Sequence, residues 1–582
     1  MATHPSDSYP DVTDKEFHKK INKLFGNYYV PKKKKTFKQI CYPEKYELQL
    51  PQKFLAKYVN PNTPYKGILV FHQIGSGKTC TSIRIAEAWK EHRKVIVVVP
   101  ASLIGNYRNE LRSMCAGNNY LTAKERDDLK KYHPMSKEYS DIIKRSNERI
   151  NEYYTIYSYN KFIKLAENNE LKLRNSVLII DEIQNMISDD GKYYDVLLNT
   201  IESAPKELRV VLLSATPIFD KPLEIALTLK LLRMENPMPI GTEFEHMFIE
   251  EKKLRNGEIV HLAKNLDLFK EMTKGYISYF RGAEPSSFPE LKLFYSKCIM
   301  SDFQYRAYAT VMGKEDREKK FHDYVKAVRL VRSGDIIKLP NNFFIGTRIV
   351  SNVSFPNNDI DEKGLDSLTK YKILNHLDMY STKFHKIMTK INRCHGKVFV
   401  YSAFRGYGGL ESFIKVLDMF GYKNCETYGE GRKRYGIFSG DENGDAKERI
   451  KAIYNRSENI YGDKLKILLL SPAAKEGLSL YNVKQVHILE PYWNSSRIAQ
   501  ILGRAVRYCS HKALPPEERI VKAYIYIAVH PNEKETVDEY IAKLAHKKSR
   551  LTQEFENALK ETAVDCELFE NINHLDGLTC EV

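Results

Sequence analysis

No stretch of this chain approaches the ~20 consecutive apolar residues that a membrane-crossing helix needs, so no membrane partner is expected. The amino terminus, Met1-Ala2-Thr3-His4-Pro5-Ser6-Asp7, is polar, with no apolar segment behind it to act as a secretory leader. Pairing signals for cysteine are missing as well. Cys41, Cys80, Cys115, Cys298, Cys394, Cys425, Cys509, Cys566 and Cys580 are scattered singly, without a C-x-x-C or zinc-ligand spacing. An odd number of isolated cysteines predicts reduced thiols in a cytosol-like compartment. No solenoid-type repeat is visible. Secreted, membrane and zinc-finger readings drop out.

What is present is long and basic. At 582 residues the chain is too large for one core, and roughly four domain-sized units are the starting expectation. A hydrophobic content of 42% with 11% aromatics is globular, and 91 basic against 74 acidic residues gives +17. That excess suits a polyanionic partner, because clustered Lys and Arg release counterions from nucleic acid. Charge alone is equally met by a soluble basic surface.

Along the chain, residues 1–40 read as a basic arm containing Pro31-Lys32-Lys33-Lys34-Lys35. Between 41 and 220, apolar runs alternate with helical stretches: Gly67 to Phe71, Val95 to Val99, Val177 to Ile180 and Val210 to Leu213. Continuous β-branched and Leu runs of this kind predict a parallel sheet covered on both faces. Residues 221–382 lose the rhythm and read as a mainly helical insertion, with an amphipathic pattern over Asp316 to Val331. A second α/β unit, 383–530, carries Lys397 to Tyr401, Ile467 to Leu470 and Val486 to Leu489. In 531–582 a helical period through Val537, Ile541, Leu544, Leu551, Phe555 and Leu559 predicts a bracing helix.

The strongest chemical signal is His72-Gln73-Ile74-Gly75-Ser76-Gly77-Lys78-Thr79, which lies between a strand and a helix. Gly75 and Gly77 allow backbone N–H groups to turn toward phosphate oxygens at a helix N-terminus. Lys78 would reach the β- and γ-phosphates and Thr79 would ligate Mg²⁺. His72 departs from the full phosphate-loop pattern, which has Gly there. A strand end then delivers Asp181-Glu182-Ile183-Gln184, where one carboxylate suits Mg²⁺ and the next an attacking water. An Asp-Glu pair at a strand end is common by itself; its place behind the loop gives it meaning. Ser214-Ala215-Thr216-Pro217 ends the following strand, with hydroxyls suited to relaying nucleotide state. Gln500 to Arg507 spaces Arg504 and Arg507 three apart, as on one helical face, and guanidinium groups suit developing phosphoryl charge.

These four stretches resemble motifs I, II, III and VI of superfamily-two helicases and translocases. Gln52 is similar to the adenine-reading glutamine, Val99 to Leu103 to motif Ia, and Ser471 to Leu478 (with Gly477) to motif V, whose usual Thr is here Ser. Leu489-Glu490-Pro491-Tyr492-Trp493-Asn494 is similar to Swi/Snf-type ATPases. Gly275 to Gly282, Thr536 to Ile541 and Ala558 to Cys566 resemble the poxvirus-type nucleoside triphosphatase I and early-transcription-factor group. The resemblance implies two RecA-like lobes with ATP and Mg²⁺ in the cleft between them. It makes Gln52, Gly75, Ser76, Gly77, Lys78 and Thr79 nucleotide-binding, Asp181 and Thr79 metal-binding, and Glu182 the general base. Gln500, Arg504 and Arg507 become catalytic, and Ser214, Ala215, Thr216 and Gly477 couple the nucleotide to the track. It further implies DNA held through its backbone, a viral RNA polymerase or transcription-factor partner, and residence in the host cytoplasm and virion. Tyr157-Ser158-Tyr159 and Ser402-Ala403 would line the track. Trp493 and Phe404 would serve either as stacking platforms or as core aromatics.

Overall fold

A computed structural model describes residues 9–31, 35–133, 136–187, 193–218, 221–255, 259–282, 284–318, 344–439, 444–472, 478–573 and 577–581. Lys32 to Lys34, most of the expected Asp316–Val331 helix, and Gly477 of motif V lie outside these residues. Contacts divide the chain into two units. The first comprises Met1–Glu251, His261–Glu284 and Leu551–Val582; the second comprises Lys252–Val260 and Pro285–Arg550.

Unit one is built on strands β1 (Gly67–His72), β2 (Lys94–Val99), β3 (Tyr154–Ser158), β4 (Ser176–Ile180) and β5 (Arg209–Ser214). A two-stranded ribbon, β6 (Ile249–Lys253) with β7 (Ile259–Ala263), precedes a further sheet strand, β8 (Ile277–Phe280). The six-stranded order is β3-β2-β4-β5-β1-β8, and every pairing is parallel. β1 and β4 are buried along their whole length, as a sheet covered on both faces requires. Register then decides the chemistry. Phe71 pairs with Ser214 and Val98 with Ile180, so the carboxyl ends of β1, β4 and β5 finish at one edge. That edge receives the phosphate loop, the Asp-Glu pair and the Ser-Ala-Thr turn.

Unit two repeats the architecture with β9 (Glu290–Ile299), β10 (Lys397–Tyr401), β11 (Lys423–Asn424), β12 (Arg434–Phe438), β13 (Ile467–Leu470), β14 (Val483–Ile488) and β15 (Ile520–Val529). Its order is β11-β12-β13-β10-β14-β15-β9, again parallel throughout. The chain is therefore α/β with two parallel-sheet lobes. Among the described residues no helix is long and apolar enough to cross a membrane.

Three expectations need correction. The stretch 221–382 is not simply a helical insertion, since it supplies β8 to the first sheet and β9 to the second. Residues 9–31 are no free arm: Phe17 and Ile21 are fully buried among Phe54, Tyr58 and Phe569. Burying each such side chain contributes about 1.5–3 kcal/mol, and the Val30 N–H donates to the Leu568 carbonyl, tying the two chain ends together. The cysteines are not uniformly reduced thiols. Cys80 is bonded to Cys115 and Cys566 to Cys580, at sequence separations of 35 and 14. Neither spacing carries a sequence signature, because folding alone brings the partners within reach. Cys298, Cys394 and Cys425 are free and buried. The tail helix runs Val537–Glu561, with Val537, Ile541, Leu544, Leu551, Phe555 and Leu559 buried.

Candidate active site

The phosphate loop leaves β1 and enters the helix Lys78–Trp89. Gly75 (φ 82) and Gly77 (φ 80) both adopt the left-handed region, which a side chain strains. Gly77 is the helix N-cap and contributes no capping side chain, so the first-turn N–H groups remain available to an anion. Ser76 Oγ is buried without a hydrogen-bond partner. A triphosphate bound in the loop would meet both demands at once. Gln52, in the helix Leu50–Tyr58, is buried beside the loop; its Oε1 caps its own helix at the Gln49 N–H, and its Nε2 lies 3.5 Å from the Gly77 carbonyl. A Cβ on Gly77 would stand 2.8 Å from that amide, which would have to move, and the left-handed backbone there already favours glycine.

Motifs I, II and III are joined by one chain of side chains. Lys78 Nζ lies 3.8 Å from Glu182 Oε1. Gln184 Nε2 donates to Glu182 Oε2 at 2.5 Å, and Gln184 Oε1 accepts from Ser214 Oγ at 2.7 Å. Ser214 Oγ in turn accepts from the Thr216 N–H at 3.0 Å. Glu182 itself sits at φ 52, a costly conformation for a non-glycine residue. Its N–H donates to Asp181 Oδ1 at 2.9 Å, and Tyr159 Oη donates to the Asp181 and Glu182 carbonyls. The turn is thus fixed from both sides, with buried Asp181 and half-buried Glu182 presented beside Lys78. An acidic pair, a lysine and the hydroxyl of half-buried Thr79 on one edge have the donor chemistry for a metal-bound triphosphate.

His72, the departure from the loop pattern, has a structural partner that sequence reasoning missed. It is fully buried, and its Nε2 is 2.9 Å from Ser278 Oγ on β8. Ser278 donates onward to Asp565 Oδ2 at 2.5 Å, while the Tyr279 N–H donates to Asp565 Oδ1 at 3.0 Å. Burial, then the charge of Lys78, lowers His72 to about 3, so the ring is neutral. A side chain of the tail therefore reaches the base of the phosphate loop, 493 positions from His72 (565 − 72).

In unit two the helix Ser495–Leu502 ends before either arginine of motif VI. Arg504 lies in the following turn, where its N–H closes onto the Ile501 carbonyl, and Arg507 lies beyond that turn, so the two are not on one helical face. Gln500 and Arg504 line a cleft with Tyr401, Ser471, Pro472 and Arg497. Arg507 donates from Nε to the Gly503 carbonyl at 3.1 Å and from Nη1 to Ser479 Oγ.

Ser402 and Ala403, expected to face a nucleic-acid track, serve the interior. Ser402 is buried and donates to Glu490, as does the Ala403 N–H. Asn352 joins them, donating to Glu490 Oε2 at 3.0 Å and accepting from Lys383 Nζ at 2.9 Å. Lys383 also pairs with Asp538 at 2.6 Å, both side chains fully buried. Phe404 and Trp493 hold the Arg348 guanidinium between them, each ring centroid 5.0 Å away. Those rings are therefore occupied by an arginine of their own unit.

Residues 56–225 match the model of the DEAD/DEAH box helicase family, and residues 382–509 match that of the helicase conserved C-terminal domain. Two proteins of Acanthamoeba polyphaga mimivirus, each named "Putative ATP-dependent RNA helicase", are similar. One is 50% identical over 99% of this chain and 99% of its own length; the other is 27% identical over 98% and 80%. A protein of African swine fever virus named "Termination factor NPH-I homolog" is 26% identical over 86% of this chain and 76% of its own length.

Proposed function

The chain belongs to the superfamily-two helicases and is an ATP-hydrolysing enzyme, and from that premise we propose a DNA-dependent motor that moves on or remodels DNA during viral transcription. The observation that carries the reading is the continuous side-chain path Lys78–Glu182–Gln184–Ser214. It links the phosphate loop to the turn after β5, so a change at the nucleotide reaches the residues assigned to couple it to the track.

In this reading the loop N–H groups of residues 75–79 and Lys78 hold the phosphates, and Gln52 orients the base. Thr79 and Asp181 would hold Mg²⁺, which supplies neutralisation of phosphate charge when bound. Glu182, held by Gln184, takes the proton of the attacking water. We assign Arg504 and Arg507, with Gln500, to the charge developing on the transferred phosphoryl group. Ser214, Ala215 and Thr216 pass the change onward. DNA is held through its backbone, in keeping with the charge of +17. A transcription role is favoured by the relative named as a termination factor, and a polymerase or transcription-factor subunit is its natural partner.

A second reading, RNA as the track, is favoured by the names of the two mimivirus relatives. ATP turnover of the purified chain with single-stranded DNA, duplex DNA or RNA separates them. DNA is expected to stimulate and RNA not; stimulation by RNA alone would overturn the DNA assignment. Activity recovered only with a partner protein would favour a transcription-factor subunit over an autonomous motor.

A further inference from the structure

The outer edge of the second sheet pairs with no further strand among the described residues, although its last strand, β9, is ten residues long; near its end the Lys297 carbonyl accepts from Lys386 Nζ. The Glu290 and Met300 N–H groups donate to Arg519 and Val529 of the β15 side. By alternation, the N–H and C=O groups of Leu291, Leu293 and Tyr295 point outward. These same residues carry their side chains on the face where Val521, Ala523 and Ile525 of β15 are buried. On β9 that apolar face emerges from cover: Leu291 is 39% exposed, and Tyr295 and Ile299 are 62%.

The opposite face is basic. Lys522 lies opposite Lys292 in register, and Lys390 sits 4.3 Å over the Tyr524 ring, which stacks on Phe294. Burial, then Lys386, Arg393 and Lys522, lowers Lys390 below the ordinary lysine value. Lys292 is paired with Glu290 at 3.5 Å, but among the described residues no acidic side chain forms a salt bridge with Lys390, Arg393 or Lys522.

We propose that β9 is a docking edge for an extended segment of a partner protein that alternates apolar and acidic residues. Such a segment would take the outward N–H and C=O groups as an added strand. Its apolar side chains would continue the Leu291–Leu293–Tyr295 stripe, and its acidic ones would meet Lys390 and Lys522. Lysines on an edge strand ordinarily discourage pairing; here they admit an acidic strand and refuse a neutral or basic one. A nucleic-acid backbone would use the cations and leave both the apolar stripe and the open peptide groups unmet. This inference is independent of the ATPase reading.

The test uses the full chain and a fluorescein-labelled ten-residue peptide of alternating Val and Glu. Saturable binding is expected, with slowed amide exchange confined to residues 290–299. Tyr295→Glu and Lys390→Glu should each weaken binding by about tenfold or more, with ATP turnover unchanged as evidence of folding. A Val-Lys peptide should bind Lys390→Glu better than it binds the parent chain. A peptide with the same sequence, N-methylated at alternate residues, should lose binding at unchanged charge. Equal binding of the N-methylated peptide would overturn the added-strand model. So would displacement of the peptide by a dT oligonucleotide that protects residues 290–299, or self-association of the chain abolished by Tyr295→Glu.

Discussion

Each unit sets a lysine against an acidic side chain, Lys78 against Glu182 in one and Lys383 against Asp538 in the other, yet the two pairs are used in opposite ways. In unit one Lys78 and Glu182 keep 10% and 23% of their side-chain surface and meet at 3.8 Å, a contact loose enough for a ligand to part. In unit two Lys383 and Asp538 have no exposed surface and meet at 2.6 Å, with Asn352 linking Lys383 to Glu490. The same architecture thus holds one charge set ready for exchange and locks the other as a brace. The physical difference is water. A partly wet pair contributes little stability and leaves its charges usable, whereas a dry pair holds firmly because neither partner can be left alone.

Substitutions should separate the two regions cleanly. The largest effect is expected at Lys78→Ala, which should lower nucleic-acid-stimulated ATP turnover on the order of 10³-fold. Its melting temperature should stay close to that of the parent chain. Loss of turnover accompanied by a large drop in melting temperature would erase the distinction. Asp538→Ala should do the reverse. Leaving Lys383 buried and unpaired should cost about 3–5 kcal/mol in denaturant unfolding, while folded molecules retain turnover.

A smaller effect sharpens the comparison within unit one, where Asp565 is buried with no salt-bridge partner among the described residues. Burial, against hydrogen bonds from Ser278 and the Tyr279 N–H, raises its carboxyl from 3.8 to about 7. Between about pH 4 and 7 the folded state keeps a proton that the unfolded chain releases, so stability falls as pH rises through that window. Asp565→Asn should flatten this dependence, which amounts to at most about 4 kcal/mol; an unchanged slope in unfolding experiments would refute the assignment. The smallest effect is expected at Ser214→Ala. It removes the hydrogen bond to Gln184 and the one accepted from the Thr216 N–H, each worth about 1 kcal/mol, and should reduce stimulated turnover several-fold more than basal turnover.

The contrast also explains which features could be read from sequence. Motifs I, II and III were legible because phosphate and metal chemistry fixes residue types at short spacing after a strand, as at Gly75 to Thr79 and Asp181-Glu182. The brace was not, because Asn352, Lys383, Glu490 and Asp538 meet only through the fold and no ligand sets their spacing. The His72–Ser278–Asp565 path escaped for the same reason, although His72 in a glycine position was the available signal. β8 escaped because, although fully buried, it is only four residues long, and β9 because it is an exposed edge without the continuous burial that marks the central strands. The motif VI spacing suggested a helical face, but the chain turns after Leu502.

The central claim is that the Lys78–Glu182–Gln184–Ser214 path is the hydrolytic site of a nucleic-acid-stimulated motor. Steady-state turnover of Glu182→Gln with saturating DNA, measured alongside nucleotide binding, tests it most directly. The glutamine keeps the size of the side chain and its contact with Gln184, so ATP binding should persist while stimulated turnover is abolished. Near-normal turnover with intact binding would contradict the account.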